Sequence, residues 1–160
     1  MDSTKQAIAA TGLIVAAMRA EESVRADGLF TDPFAERLAG AQGRQLLADF
    51  GGDNKMASAP IVIRTRLFDE ALLQVQSDGV AQVVILAAGM DARSYRLPWQ
   101  DGTTVYEVDQ PQVIATKNER LAWPESGPAA VVLQSASTWP KAGPKRCSRR
   151  GFNRRQERSG

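Results

Sequence analysis

The chain has 160 residues, 43% of them hydrophobic and 24% charged, and no histidine. That length suits one domain with a sizeable core, while the missing histidine removes any Ser-His pair and any His-ligated metal site. The single cysteine, Cys147, excludes an internal disulfide framework and fits a reducing compartment.

Met1-Asp2-Ser3-Thr4-Lys5 lacks a basic segment followed by an apolar core, so a secretory signal is not expected. No apolar run approaches the roughly 20 residues that span a bilayer. The expectation is a cytoplasmic protein without a membrane partner. Residues 4–26 read as a helix capped by Ser3 or Thr4 and stopped by Asp27-Gly28, with Ile8, Leu13, Ile14, Ala17 and Met18 on its apolar stripe. Asp32-Pro33 is a cap followed by a first-turn proline, opening a helix that should break near Gly40 or Gly43. Gly51-Gly52-Asp53-Asn54 is a loop. A third helix is expected from about Pro60 to Ser77, with Leu67, Phe68, Ala71, Leu72 and Val75 on one face.

The periodicity then changes. Gln82–Leu86 is a short apolar, β-branched run, the pattern of a strand buried on both faces. Residues 103–108 are a second strand, a helix opens at Pro111, and 129–133 are a third strand. Strands alternating with helices predict a doubly wound parallel sheet. Three domains of sequence follow: a helical region over 1–79, an α/β region over 80–140 and a basic tail over 141–160.

The tail holds 8 basic residues and one acidic residue, Glu157, whereas residues 1–140 hold 12 basic and 17 acidic. The net charge of +2 is therefore a basic tail on an acidic body, and nucleic acid is not an expected partner. The tail shows neither helix nor strand periodicity. It reads as a disordered extension or, the favoured expectation, as sequence out of frame after about residue 140.

The chemistry concentrates at Ile85-Leu86-Ala87-Ala88-Gly89-Met90-Asp91 and at Tyr106-Glu107-Val108-Asp109. A strand ending in small residues and Gly89 admits a ligand to the backbone. An acidic residue about 20 positions on can accept hydrogen bonds from ribose hydroxyls, and Asp109 is that residue. The plainer alternative is a structural glycine followed by a helix-capping aspartate. A dinucleotide pyrophosphate wants several glycines and no carboxylate, whereas Gly89 stands alone beside Asp91. That favours S-adenosyl-L-methionine, which has a sulfonium and no phosphate, over NAD. Arg66 could grip a carboxylate or simply pair with Asp69 or Glu70 along its own helix.

Phe30-Thr31-Asp32-Pro33-Phe34-Ala35-Glu36, Val62–Asp69, Val84–Trp99 and Thr103–Pro111 together resemble the mycobacterial-type S-adenosylmethionine-dependent methyltransferases that group with leucine carboxyl methyltransferases. The resemblance implies an α/β fold: a partial Rossmann-like class I methyltransferase sheet, three parallel strands here, under an N-terminal helical cover. It implies that Arg66 contacts the carboxylate of the donor, Gly89 lies against the donor and Asp109 holds its ribose. Family members carry an Asp-Leu pair after the third strand, where this chain has Gln134-Ser135, so those two residues take the adenine-side position. The implied reaction is O-methylation of a small-molecule carboxylate or hydroxyl. No metal is implied and no catalytic base is evident. Non-catalytic donor binding and, less favoured, half of an NAD oxidoreductase are the alternatives. A first strand left without a neighbour on one side would favour self-association through that edge.

Overall fold

A computed structural model describes residues 3–50, 55–121 and 131–136. The Ala-rich α1 spans Ser3–Ser23 and α2 spans Ala35–Phe50. Leu13, Ala16, Ala17 and Met18 meet Leu38, Ala39 and Leu47 in a core that also takes in Met90 and Ala92. The small alanines let the two helices approach closely, so this core joins the N-terminal helices to the loop after the first strand.

α1 ends at Ser23, three residues short of the expected residue 26. The Glu22 and Ser23 side chains catch the returning chain: the amides of Leu29 and Asp32 donate to them at 2.7 and 2.9 Å. Asp32 accepts from the Phe34 amide at 3.0 Å, the expected capping role. The break in α2 falls at Gly40, whose φ of 58° and ψ of −173° leave the helical region. The Arg120 guanidinium donates to the carbonyls of Leu38 and Ala39 just before the break.

α3 runs over Lys55–Ser77 with Pro60 inside it, beginning five residues earlier than expected. Proline has a helical φ and, so near the start, deletes only one intrahelical bond. Of the apolar face expected on α3, Leu72 alone packs against a described core. Thr65, Asp69 and Gln76 are buried, while Ile63, Leu67, Phe68 and Val75 are exposed.

The sheet comprises β1 (Gln82–Leu86), β2 (Thr104–Asp109) and β3 (Val131–Ala136), all parallel, in the order β1-β2-β3. The single turn α4 (Arg93–Arg96), unforeseen from the sequence, and α5 (Pro111–Leu121) fall between the strands. Val83, Val105, Leu97 and Trp99 form a second core, joined by Leu72 of α3 and by Ile85. Val84 and Leu86 point the other way and are 47% and 60% exposed. β1 is thus buried on one face, not two. The described helices pack against the Val83 face, and a β-strand turns alternate side chains to opposite sides. No described helix is long and apolar enough to cross a membrane. The basic tail lies outside the described residues.

Candidate functional site at the carboxyl ends of the strands

The strand register brings the ends of β1, β2 and β3 together. Leu86 pairs with Val108, Glu107 with Gln134, Val108 with Ser135 and Asp109 with Ala136. Open parallel sheets bind ligands at this edge, beyond the carboxyl ends of their strands. The backbone of β1 leaves extended geometry here: Ala87 and Gly89 both have φ of 51°. Glycine adopts that conformation freely, whereas at Ala87 it is strained. The Asp91 amide closes the turn on the Ala88 carbonyl at 2.8 Å.

Asp109 joins the two strand ends. One carboxylate oxygen accepts from the Gly89 amide at 2.7 Å and the other from the Gln110 amide at 2.6 Å. A carboxylate offers about four lone-pair sites, so each oxygen keeps one for a further donor. A Cβ placed on Gly89 would meet only the Ala87 carbonyl, at 3.8 Å. Space and hydrogen-bonding capacity therefore coincide at Gly89 and Asp109.

Beneath this turn lies a network that sequence reasoning missed. Arg19 of α1 donates to the Met90 carbonyl at 2.5 Å and to Asp32 at 2.9 Å. Asp69 of α3 accepts from Arg93 and Arg96, both at 2.7 Å, and Arg96 lies 3.6 Å from Asp32. Arg93 also pairs with Asp91, whose other oxygen accepts from the Arg93 amide at 2.8 Å. Three arginines balance three aspartates, so the network holds the turn without adding net charge to it. Burial opposes ionisation of Asp91, but Arg93 first and then Arg19 outweigh it and hold its carboxyl below the usual range. The sequence hint was Asp69, read as a surface partner for Arg66 although it lies on the inward side of α3.

Arg66 is at the surface, donating to Glu70 at 2.6 Å and to the Leu29 carbonyl at 2.9 Å. The structure gives it these helix and loop partners and does not bring it to Gly89 through any hydrogen bond. Phe68 is half-exposed beside the Arg93 guanidinium, 5.7 Å from its ring centroid. Trp99 is core, its indole donating to the Arg93 carbonyl at 3.0 Å. Tyr95 packs edge-on against Phe34.

Behind Asp109, Glu107 and Lys117 are fully buried and paired at 2.6 Å, and Ser94 donates to the same Glu107 oxygen at 2.7 Å. The pair fastens α5 and α4 to β2. Burial, and secondarily Glu107, push the Tyr95 hydroxyl up to about 12.

Residues 12–136 match the leucine carboxyl methyltransferase family. The chain belongs to that family. Among similar curated proteins are S-adenosyl-L-methionine-dependent methyltransferases, as they are named, from Mycolicibacterium gilvum, Mycobacteroides abscessus and Mycobacterium tuberculosis strain H37Ra. They are 42%, 41% and 39% identical, over 84% of this chain in each case. The matches cover 50%, 49% and 50% of those relatives. This leucine carboxyl methyltransferase homologue thus spans about half the length of the curated relatives it matches. The names of family and relatives imply S-adenosyl-L-methionine as the cofactor.

Proposed function

We propose that this chain supplies the donor-binding half of a Rossmann-like, S-adenosyl-L-methionine-dependent O-methyltransferase whose acceptor is a small-molecule carboxylate or hydroxyl. The observation that carries the reading is the hydrogen bond from the Gly89 amide to Asp109, which leaves an open backbone surface beside a carboxylate with unused acceptor sites. Asp109 would accept from the ribose hydroxyls, and Gly89 would lie against the methionyl portion. Gln134 and Ser135, two strand ends away from Gly89, would flank the adenine. Arg66 would reach the donor carboxylate by exchanging Glu70 for it, since both are carboxylates presented to one guanidinium.

When bound, S-adenosyl-L-methionine supplies a methyl group on a sulfonium. The chemistry it would supply is methyl transfer to an acceptor oxygen, with S-adenosylhomocysteine as the other product, while Gly89 and Asp109 would hold it in place. The residues of this chain contribute orientation, which can account for much of the acceleration in a displacement between two held reactants. The arginine–aspartate network fixes the Gly89–Asp91 turn before any ligand arrives. A carboxylate acceptor needs no general base.

The test is calorimetric titration with S-adenosyl-L-methionine and S-adenosylhomocysteine. Saturable one-to-one binding of both, weakened in Asp109→Ala, is expected. Binding of NAD in preference to either would overturn the reading.

A further inference from the structure

The outward face of α3 is apolar where the inward face is polar. Ile63, Leu67, Phe68 and Val75 are exposed, while Thr65, Asp69 and Gln76 are buried on the other side. Helices that face solvent have the reverse polarity. At about 3.6 residues per turn, the middle of the exposed face is a line of five side chains: Arg64, Leu67, Ala71, Val75 and Asp78. All five are exposed. The Asp78 amide still bonds to the Gln74 carbonyl at 3.1 Å, so Asp78 keeps its place on the line although α3 ends at Ser77. The alternating three- and four-residue steps are those of a helix–helix seam. This seam has a centre. Outward from Ala71, each direction meets an aliphatic residue, Leu67 or Val75, and then a charge, Arg64 or Asp78, and the two charges are opposite in sign.

We infer that α3 pairs with the α3 of a second copy of this chain, antiparallel, about a two-fold axis at Ala71. A two-fold interface is made of one patch used twice, so each contact between two different residues occurs in duplicate. With the axis at Ala71, Leu67 of each copy shares a layer with Val75 of the other. Arg64 of each copy likewise meets Asp78 of the other. The two Ala71 side chains meet on the axis, where their small size lets the helices approach closely. Charge decides the direction. A parallel pair would set Arg64 beside Arg64 and Asp78 beside Asp78, juxtaposing like charges at both ends of the seam. Self-complementarity also favours a second copy over a foreign polypeptide, which has no need of a seam that matches itself. Exposed ion pairs add little affinity, so the apolar layers supply the association and the charges set its register. The pairing makes no use of donor binding, and it can fail or succeed separately from the proposed function.

The experiment is sedimentation equilibrium of the full chain over a concentration series, together with cysteine cross-linking. A reversible dimer is expected. Arg64→Glu and Asp78→Lys should each weaken it by about tenfold, since either one places two like-charge pairs in the seam. The double variant Arg64→Glu, Asp78→Lys should regain the original dimer constant, because each altered charge then meets its altered opposite. In a Cys147→Ser background, Ala71→Cys should form a disulfide-linked dimer on oxidation. Gln112→Cys, on the exposed side of α5, should not. The inference is overturned by a chain that stays monomeric, or by a double variant as weak as the single ones. A dimer that Ala71→Cys does not cross-link, such as one joined through the edge of β1, overturns it as well.

Discussion

Gly89 and Asp109, twenty residues apart, are joined by a hydrogen bond of 2.7 Å from backbone amide to carboxylate. The bond fixes the end of β1 against the end of β2, so the carboxylate is already placed when a ligand arrives. Asp109→Ala removes the anchor and the acceptor together. Hydrogen bonds to a charged group are worth about 1.5–3 kcal/mol, so donor affinity should fall by roughly ten- to a hundredfold. Asp91→Ala, whose carboxylate is spent on Arg93, should weaken binding less. Equal affinity in wild type and a folded Asp109→Ala would remove the ribose-binding assignment.

The buried Glu107–Lys117 pair gives a test of packing rather than binding. Lys117→Met leaves Glu107 charged in a fully buried place, at a cost of about 3–5 kcal/mol. The double variant Glu107→Gln, Lys117→Met removes both charges and should recover most of that loss. Urea denaturation of the three proteins checks it, and a double variant no more stable than the single one would contradict the account.

Gly40→Ala should destabilise α2. The backbone there lies in a region that only glycine occupies without strain, a penalty of about 1–3 kcal/mol. Steric contact is not the cause, since an added Cβ would sit 3.5 Å from the Arg120 guanidinium, an ordinary distance. Arg120→Ala should also lower the melting temperature by releasing the Leu38 and Ala39 carbonyls. With Arg120 already gone, Gly40→Ala should cost nearly the same as before if conformation is its origin.

Stability should decline at alkaline pH through Tyr95. Burial, and secondarily Glu107, raise its folded pKa from the ordinary 10.0 to about 12. The contribution is fully present below pH 10 and is lost as pH rises through the folded value. Tyr95→Phe should lack this component, and the difference in phenolate absorbance between the two proteins should titrate near pH 12. On the acid side the sign reverses for Asp91: its lowered pKa contributes stability above the ordinary carboxylate value, lost as pH falls through the folded one.

The strands and the Gly89–Asp109 offset were legible because they depend on local pattern: β-branched runs, a lone glycine after a strand, an acidic residue one strand later. The break at Gly40 was legible for the same reason. What escaped depends on distant partners. Nothing near Ser23 in sequence reveals that its hydroxyl will meet the Asp32 amide and end α1. Asp69 beside Glu70 reads as a surface pair until α3 is seen to turn it towards Arg93 and Arg96. Leu67 and Val75 read as part of one apolar face, but hydrophobicity marks which residues want cover, not what provides it, and both are exposed. Gln134 and Ser135 were placed by resemblance, and the register sets them opposite Glu107 and Val108.

Arg19 ties α1 to the Met90 carbonyl, and Asp32 and Asp69 extend that tie to the α1–α2 loop and to α3. A break at any of these points strands a buried charge, which is far costlier than losing one contact. Fraying of α1 alone is therefore suppressed at Arg19, and opening must take the turn with it. The amides of Arg19, Met90 and Asp91 should then exchange with deuterium at a common rate, as parts of one cooperative unfolding unit. Local loosening of the N-terminal helix and loss of the Gly89–Asp91 turn would be one event on the free-energy surface.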